Sequence, residues 1–394
     1  MTKLIRFKKI LWLAQTLRYL FTLAILTLIT GCVDTRQIVE DRLFGDQLTL
    51  IWSKRFDGPI NLPPVITEDN VIVAPEGNPL VALDATTGEQ RWQFAPSLQI
   101  WERAIAASDD FVYVGLEGGR LLALDIEDGE IQWGRDLEIN VQHAPLVVNY
   151  ALFVSTTYVG PGLDSDPQGR AKLFALNAFD GEFLWEYQTD NYILQTPQLF
   201  QERIYVAGSY QDPSIDVDEG GPMRLYALST TNGNPFWTFE SRDGFTKALY
   251  ATQDAVAYVA YQDFISALDI RSGELLWRKD TGNWVPSLSG AGDAIYFGSA
   301  NTVVHAWNIQ DGSNIWEYNI PGGSFNYLLG SPVKVADDLY FLTQRGDIIA
   351  LDARDGSELW KISTDIQSRT SLSVANGWLY IGDAEGVVYA YTNR

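Results

Sequence analysis

Apolar and polar positions along the chain fall into a thirteen-residue pattern that recurs seven times. It reads LVALDATTGEQRW to Trp92, LLALDIEDGEIQW to Trp133, LFALNAFDGEFLW to Trp185 and LYALSTTNGNPFW to Trp237. ISALDIRSGELLW to Trp277, VHAWNIQDGSNIW to Trp316 and IIALDARDGSELW to Trp360 follow. In all seven, Gly stands four residues before Trp and Ala ten before it, and two spacings held throughout mark an internal repeat. The first half alternates around a small Ala and predicts a half-buried strand. The middle, Asp or Asn followed by polar residues and Gly, predicts a tight turn, and the rest a strand ending on Trp. A hairpin cannot bury both its faces alone. Each Trp is therefore expected to lie against a neighbouring unit, hiding ~150–250 Å², or roughly 4–6 kcal/mol of apolar burial. The Ala of the partner strand is expected to leave room for the indole.

Successive Trp positions lie 39 to 52 residues apart, and each interval holds four short apolar runs, such as APLVV, ALFVS, LFALN and FLWEY between residues 144 and 187. Units of that length with four strands are propeller blades rather than solenoid turns. The last unit gives VYAY, with Ala390 in the Ala position, and reaches Arg394 without a Trp strand. LTLIWSKRF supplies one at the other end, with Trp52 forty residues before Trp92. The expected fold is all-β: an eight-bladed β-propeller over residues 48–394, its ring closed by an N-terminal strand that completes the C-terminal blade and leaves no sheet edge open.

Residues 1–31 read as a leader. Lys3, Arg6, Lys8, Lys9 and Arg18 precede an apolar run, Tyr19–Thr30, too short to span a bilayer comfortably and proportioned like a secretory signal. The run ends in ITGC, residues 29–32, which resembles a bacterial lipobox. That resemblance implies cleavage before Cys32, the chain's single cysteine, and lipidation of its thiol. The alternative is an uncleaved N-terminal anchor. Residues 32–47 would be the tether, and Val33, where an Asp would signal inner-membrane retention, implies the outer membrane facing the periplasm. In an organism without an outer membrane the same anchor places the propeller at the cell surface.

Composition changes this picture little. Thirty-three glycines suit many turns, and the formal charge of −22 repels nucleic acid and anionic headgroups. Two intervals carry extra residues between the second and third strands of their blades, at 158–170 and 209–223. Asp212, Asp216, Asp218 and Glu219 make the second acidic, a candidate partner-binding ledge; it lacks the ligand ladder of a calcium loop. Chemistry is sparse. His143 and His305 have no partners at metal-ligand spacing, and no G-x-S-x-G elbow is present. The repeat Asp at positions 84, 125, 269 and 352 reads as a turn former. No catalytic residue and no metal site are expected.

The unit A-L-D-x-x-x-G-x-x-x-W resembles the tryptophan-docking repeat of pyrroloquinoline quinone (PQQ) dehydrogenases, which are eight-bladed propellers. Those enzymes are much longer, and most carry an adjacent cysteine pair over the cofactor ring; with one cysteine here, neither PQQ nor another cofactor is expected. The layout of leader, lipobox, tether, isolated Trp strand and seven repeats resembles the BamB family, lipoprotein subunits of the β-barrel assembly machinery. The resemblance implies a non-enzymatic scaffold that binds BamA and helps barrel proteins into the outer membrane. It also implies contact through the loops after two middle Trp strands, TDNYILQTP (189–197) and ESRDGFTKA (240–248). Tyr192, Ile193 and Leu194 keep the apolar character of the family's Leu-x-Leu-Arg run, Gln195 stands where its Arg would be, and Asp243 alone stands for an acidic pair. The Tyr-Ile-Leu triplet reads equally as an exposed patch or as the start of the next inner strand. A propeller lipoprotein with a different surface partner, and a quinoprotein-type enzyme, remain the alternative readings.

Overall fold

In the computed structural model, the described residues are Phe44, 48–157, 171–190, 193–209, 223–242, 246–252, 254–260, 264–324, 326–328 and 330–393. They form eight antiparallel sheets and no helix. Blade one is representative: Val65–Ile66, Asn70–Val73, Leu80–Asp84 and Gln90–Phe94 pair in that order from inside to outside. Innermost strands lie side by side from blade one to three and from blade four to eight, and that of blade eight, Ser373–Ala375, meets that of blade one. The sheets therefore close into the expected eight-bladed ring. In blade eight the outermost strand is Leu48–Arg55, paired with Val387–Asn393 from Leu48↔Asn393 to Arg55↔Val387.

The third strand of each blade departs from the expected alternation. Leu80–Asp84 is buried at four successive positions, and Arg120–Asp125 and Lys172–Asn177 behave alike. A blade has a neighbour on each face, so both faces of its central strands are core, and the runs L-V-A-L and L-L-A-L are apolar throughout. In the outermost strand of blade one, Gln90–Phe94, only Trp92 is buried.

The joint between blades is the docked indole. Trp52, Trp92, Trp133, Trp185, Trp237, Trp277 and Trp316 each donate Nε1–H across to the next blade, to the carbonyls of Ala85, Ile126, Ala178, Thr230, Ile270, Ile309 and Ala353, at 2.8–3.0 Å. The room for the ring comes from the repeat glycine, not from the Ala. At Gly129 an added Cβ would stand 2.7 Å from Trp92 Cε3, and its φ of +75° is one that L side chains resist. The Ala instead faces its own Trp across the hairpin, as in Ala82↔Trp92, and a bulge directly after it recurs in all seven repeats. Such a bulge turns the following residues and increases local twist.

The eighth joint is built differently. No repeat hairpin connects Val387–Asn393 to Leu48–Arg55, so no repeat carbonyl is available there. Phe44 supplies one: Trp360 Nε1–H donates to its oxygen at 3.2 Å. The Phe44 ring is fully buried and meets Tyr340 edge-on, centroids 5.3 Å apart. A residue read from sequence as tether is thus part of the seam.

Candidate functional site

Blades three and four present the loops picked out above. The outermost strand of blade three, Phe183–Gln188, ends at Thr189, whose N–H and hydroxyl both donate to the Ala171 carbonyl, at 3.0 and 2.8 Å. The next residue, Asp190, donates its N–H to the Tyr226 hydroxyl at 3.3 Å and pairs its carboxylate with Arg224. Arg224, on the third strand of blade four, also donates from Nη2 and Nε to Glu240 at 2.8 and 3.0 Å. One guanidinium thus joins the start of the 189–197 loop to the start of the 240–248 loop. Burial pushes the Tyr226 hydroxyl up to about 12, so it remains a neutral partner. Both carboxylates stay more than half exposed. A single surface pair of this kind contributes little; the network's value is positional, holding two acidic groups at fixed places on one rim.

The remaining sequence candidates fall unevenly. Leu194 is fully buried with Leu173, Ile204 and Val206. It pairs with Gly208 while Ile193 pairs with Ser209. For Leu194 the inner-strand reading therefore replaces the exposed-patch reading. Gln195 is half-buried and donates its N–H to Ala207 at 2.9 Å. Cys32, Tyr192, Asp212, Asp216, Asp218, Glu219 and Asp243 lie outside the described residues, as does most of both long loops. Among the described residues no three His, Cys, Asp or Glu side chains group as metal ligands. The repeat Asp forms turns as expected: Asp84 Oδ1 accepts from the N–H groups of Thr86 and Thr87 at 3.0 and 2.9 Å. With Arg91 on its other oxygen, its carboxyl is held well below the usual range.

Sequence spacing missed a contact around His305. Ser299 Oγ stands 2.9 Å from Nε2, and Glu317 stands 3.4 Å from Nδ1 without the alignment of a hydrogen bond. The order Ser-His-Glu invites comparison with a hydrolase triad. Yet Ser299 is 1% exposed and its oxygen lies within bonding distance of Asn301 Oδ1 and the Val303 carbonyl. That hydroxyl closes a strand end and is shut from solvent. His143 is also held neutral, pushed down to about 4 by burial and by the charge of Arg103. A histidine depressed in the folded state and near 6.5 unfolded leaves the unfolded chain binding more protons between those values. Its stabilisation is complete above pH 6.5 and declines towards pH 4. Denaturant midpoints are expected to fall between pH 7 and pH 5, and His143→Gln is expected to flatten that slope. An equal slope in the variant would assign the loss to other groups.

A second exposed feature lies at the opposite end of the outermost strands. Phe183 and Leu184 in blade three, Phe236 in blade four, and Leu275 and Leu276 in blade five are each about half exposed. These are the positions one and two before the repeat Trp, where a solvated edge ordinarily carries polar groups. Arg203 covers the Phe236 ring at 4.3 Å.

Eight blades joined by indoles, seven of four strands and the fourth with its inner edge split between Ile193–Leu194 and Gln198–Phe200, define a propeller of the PQQ-like, tryptophan-docking class. A family model described as "Outer membrane protein assembly factor BamB" matches residues 46–138, 96–166 and 217–394, and the chain belongs to that family. BamB of Salmonella typhimurium is 31% identical over 135 residues, 34% of this chain and 33% of that protein. BamB of Burkholderia pseudomallei is 24% identical over 77% of this chain and 66% of its own length. A serine/threonine-protein kinase, AfsK of Streptomyces coelicolor, is 27% identical over 45% of this chain, which spans 20% of the kinase. The chain thus matches a fifth to two thirds of these relatives' lengths. Among solved structures, BamB of Moraxella catarrhalis superposes with a TM-score of 0.64 at 20% identity, over 88% of this chain and 98% of that one. A quinohemoprotein alcohol dehydrogenase of Pseudomonas putida gives 0.66 at 14% identity, over 88% and 76%. Both structural likenesses concern the fold.

Proposed function

We propose that the protein is a non-catalytic scaffold in outer-membrane protein assembly, tethered through a lipid on Cys32 and engaging a BamA-type partner with the rim of blades three and four. The observation that carries this reading is family membership over both ends of the ring. The Asp190–Arg224–Glu240 bridge adds to it, since it ties together the first residues of the two loops that the family resemblance singles out.

The test is chemical crosslinking of the tethered protein in its native envelope, followed by capture and mass spectrometry. A barrel-assembly protein is expected in the wild-type capture and depleted for Arg224→Glu, which opposes like charges to Asp190 and Glu240. Capture of unrelated surface proteins alone would overturn the assembly reading. The Cys32→Ser variant is expected in the soluble extracytoplasmic fraction, and its retention in the membrane would instead favour an uncleaved anchor.

A further inference from the structure

The innermost strand of blade two, Ile100–Ala107, carries a wide bulge. It pairs with Phe111–Leu116 at Ile100↔Leu116 and next at Ile105↔Val114, so residues 101–104 bulge out of the ladder. The bulge is specified by packing: at Gly115, beneath it, a Cβ would stand 2.7 Å from Ala104 Cβ and 2.8 Å from the Val141 carbonyl. Bulges of this kind re-aim side chains and are frequent beside functional sites.

Here the bulge borders two adjoining concavities. One, about 380 Å³, is lined by Gln99, Trp101, Arg103, Gln142 and His143. The other, about 250 Å³, is mostly apolar, with Leu62, Pro63, Val65 and Ile105. Arg103 lines both, so one cationic side chain borders a polar chamber and an apolar one. It is exposed and, among the described residues, has no carboxylate partner. That is notable in a chain with 50 acidic residues against 28 basic ones. Trp101 Nε1–H is shut from water without an acceptor, a condition that calls for an explanation in a folded protein. The two Gln side chains offer amide donors, and His143, neutral at physiological pH, adds no charge that an anion would have to share.

We propose that this site binds a carboxylate carried on an apolar body. Arg103 takes the carboxylate with help from Gln99 or Gln142, and the chamber of Leu62, Val65 and Ile105 takes the apolar part. The combined space suits a ligand of one or two residues' bulk. Two sources share that chemistry, the free C-terminus of a peptide and a small aliphatic acid. The site is independent of the rim of blades three and four, so this inference does not rest on the assembly reading.

Isothermal titration of the whole extracytoplasmic protein tests it with three probes: N-acetyl-Ala-Ala-Leu as the free acid, the same peptide as its C-terminal amide, and octanoate. The free acid is expected to bind, with the amide weaker by about tenfold or more, since a charged hydrogen bond is lost. Arg103→Gln is expected to bring the acid down to the level of the amide while circular dichroism and melting stay unchanged, because the side chain is exposed. Tighter binding of the peptide acid than of octanoate would assign the source to a chain end, and the reverse order to a small acid. Equal binding of acid and amide, an Arg103→Gln protein that binds like wild type, or no binding by any probe would overturn the proposal.

Discussion

Trp92→Ala is expected to lower the unfolding free energy by about 3–5 kcal/mol, the range for deleting a buried large aromatic. Trp92 is 6% exposed, and its indole fills the space between blades one and two with its N–H on the Ile126 carbonyl at 2.9 Å. Truncation opens a void and leaves that carbonyl unpaired. The sharper test is coupling to the glycine beneath the ring. Gly129→Ala places a Cβ 2.7 Å from Trp92 in a backbone of positive φ, costing about 1–3 kcal/mol of overpacking besides the strain. With the indole gone the overpacking disappears and only the strain remains. The double variant should therefore lose less than the two single losses combined, as residues in contact do. Strictly additive denaturation midpoints would mean that the indole and the glycine do not share the joint.

Phe44→Ala should cost nearly as much, about 3 kcal/mol or more, although Phe44 lies outside the strands. Its ring is fully buried against Tyr340, with Leu342, Ile348 and Trp360 in the same cluster. Its backbone survives the substitution, so the Trp360 hydrogen bond survives as well. A chain shortened to begin at Leu48 loses both ring and carbonyl and should melt lower than the point variant. If both melt with the wild type, the seam is held by the pairing of Leu48–Arg55 alone.

The ring itself was legible because the repeat is written into every unit. Ala, Gly and Trp recur at fixed offsets, and the strand carrying Trp52 restores the count at the far end. What the spacing could not say was which small residue seats the indole. Ala82 and Gly88 are both close to Trp92 in sequence, but the ring contacting Gly88 is Trp52 of another blade, and such partners are set by packing between distant segments. Leu194 shows the same limit from another side: an apolar triplet at a loop end reads as patch or strand until its partner, Gly208, is known. The bridge through Arg224 and the contact of Ser299 with His305 are likewise pairings across strands. Neither leaves a motif in a single sequence. The exposed row of Phe183, Leu184, Leu275 and Leu276 did leave a signal, apolar residues at two successive positions before Trp in an edge strand, where alternation would have made the one directly before Trp polar.

The pairing of Leu48 with Asn393 also sets the order in which the molecule is made. A chain emerging from its N-terminus offers Leu48–Arg55 first, and the strand that receives it, Val387–Asn393, last. Until then the first strand is a bare edge, and seven blades form an open arc whose ends have no partner. Contacts of such separation form slowly. The closing step waits until both Leu48–Arg55 and Val387–Asn393 have been made, and losing a handful of residues at Val387–Asn393 would undo the first strand together with the last.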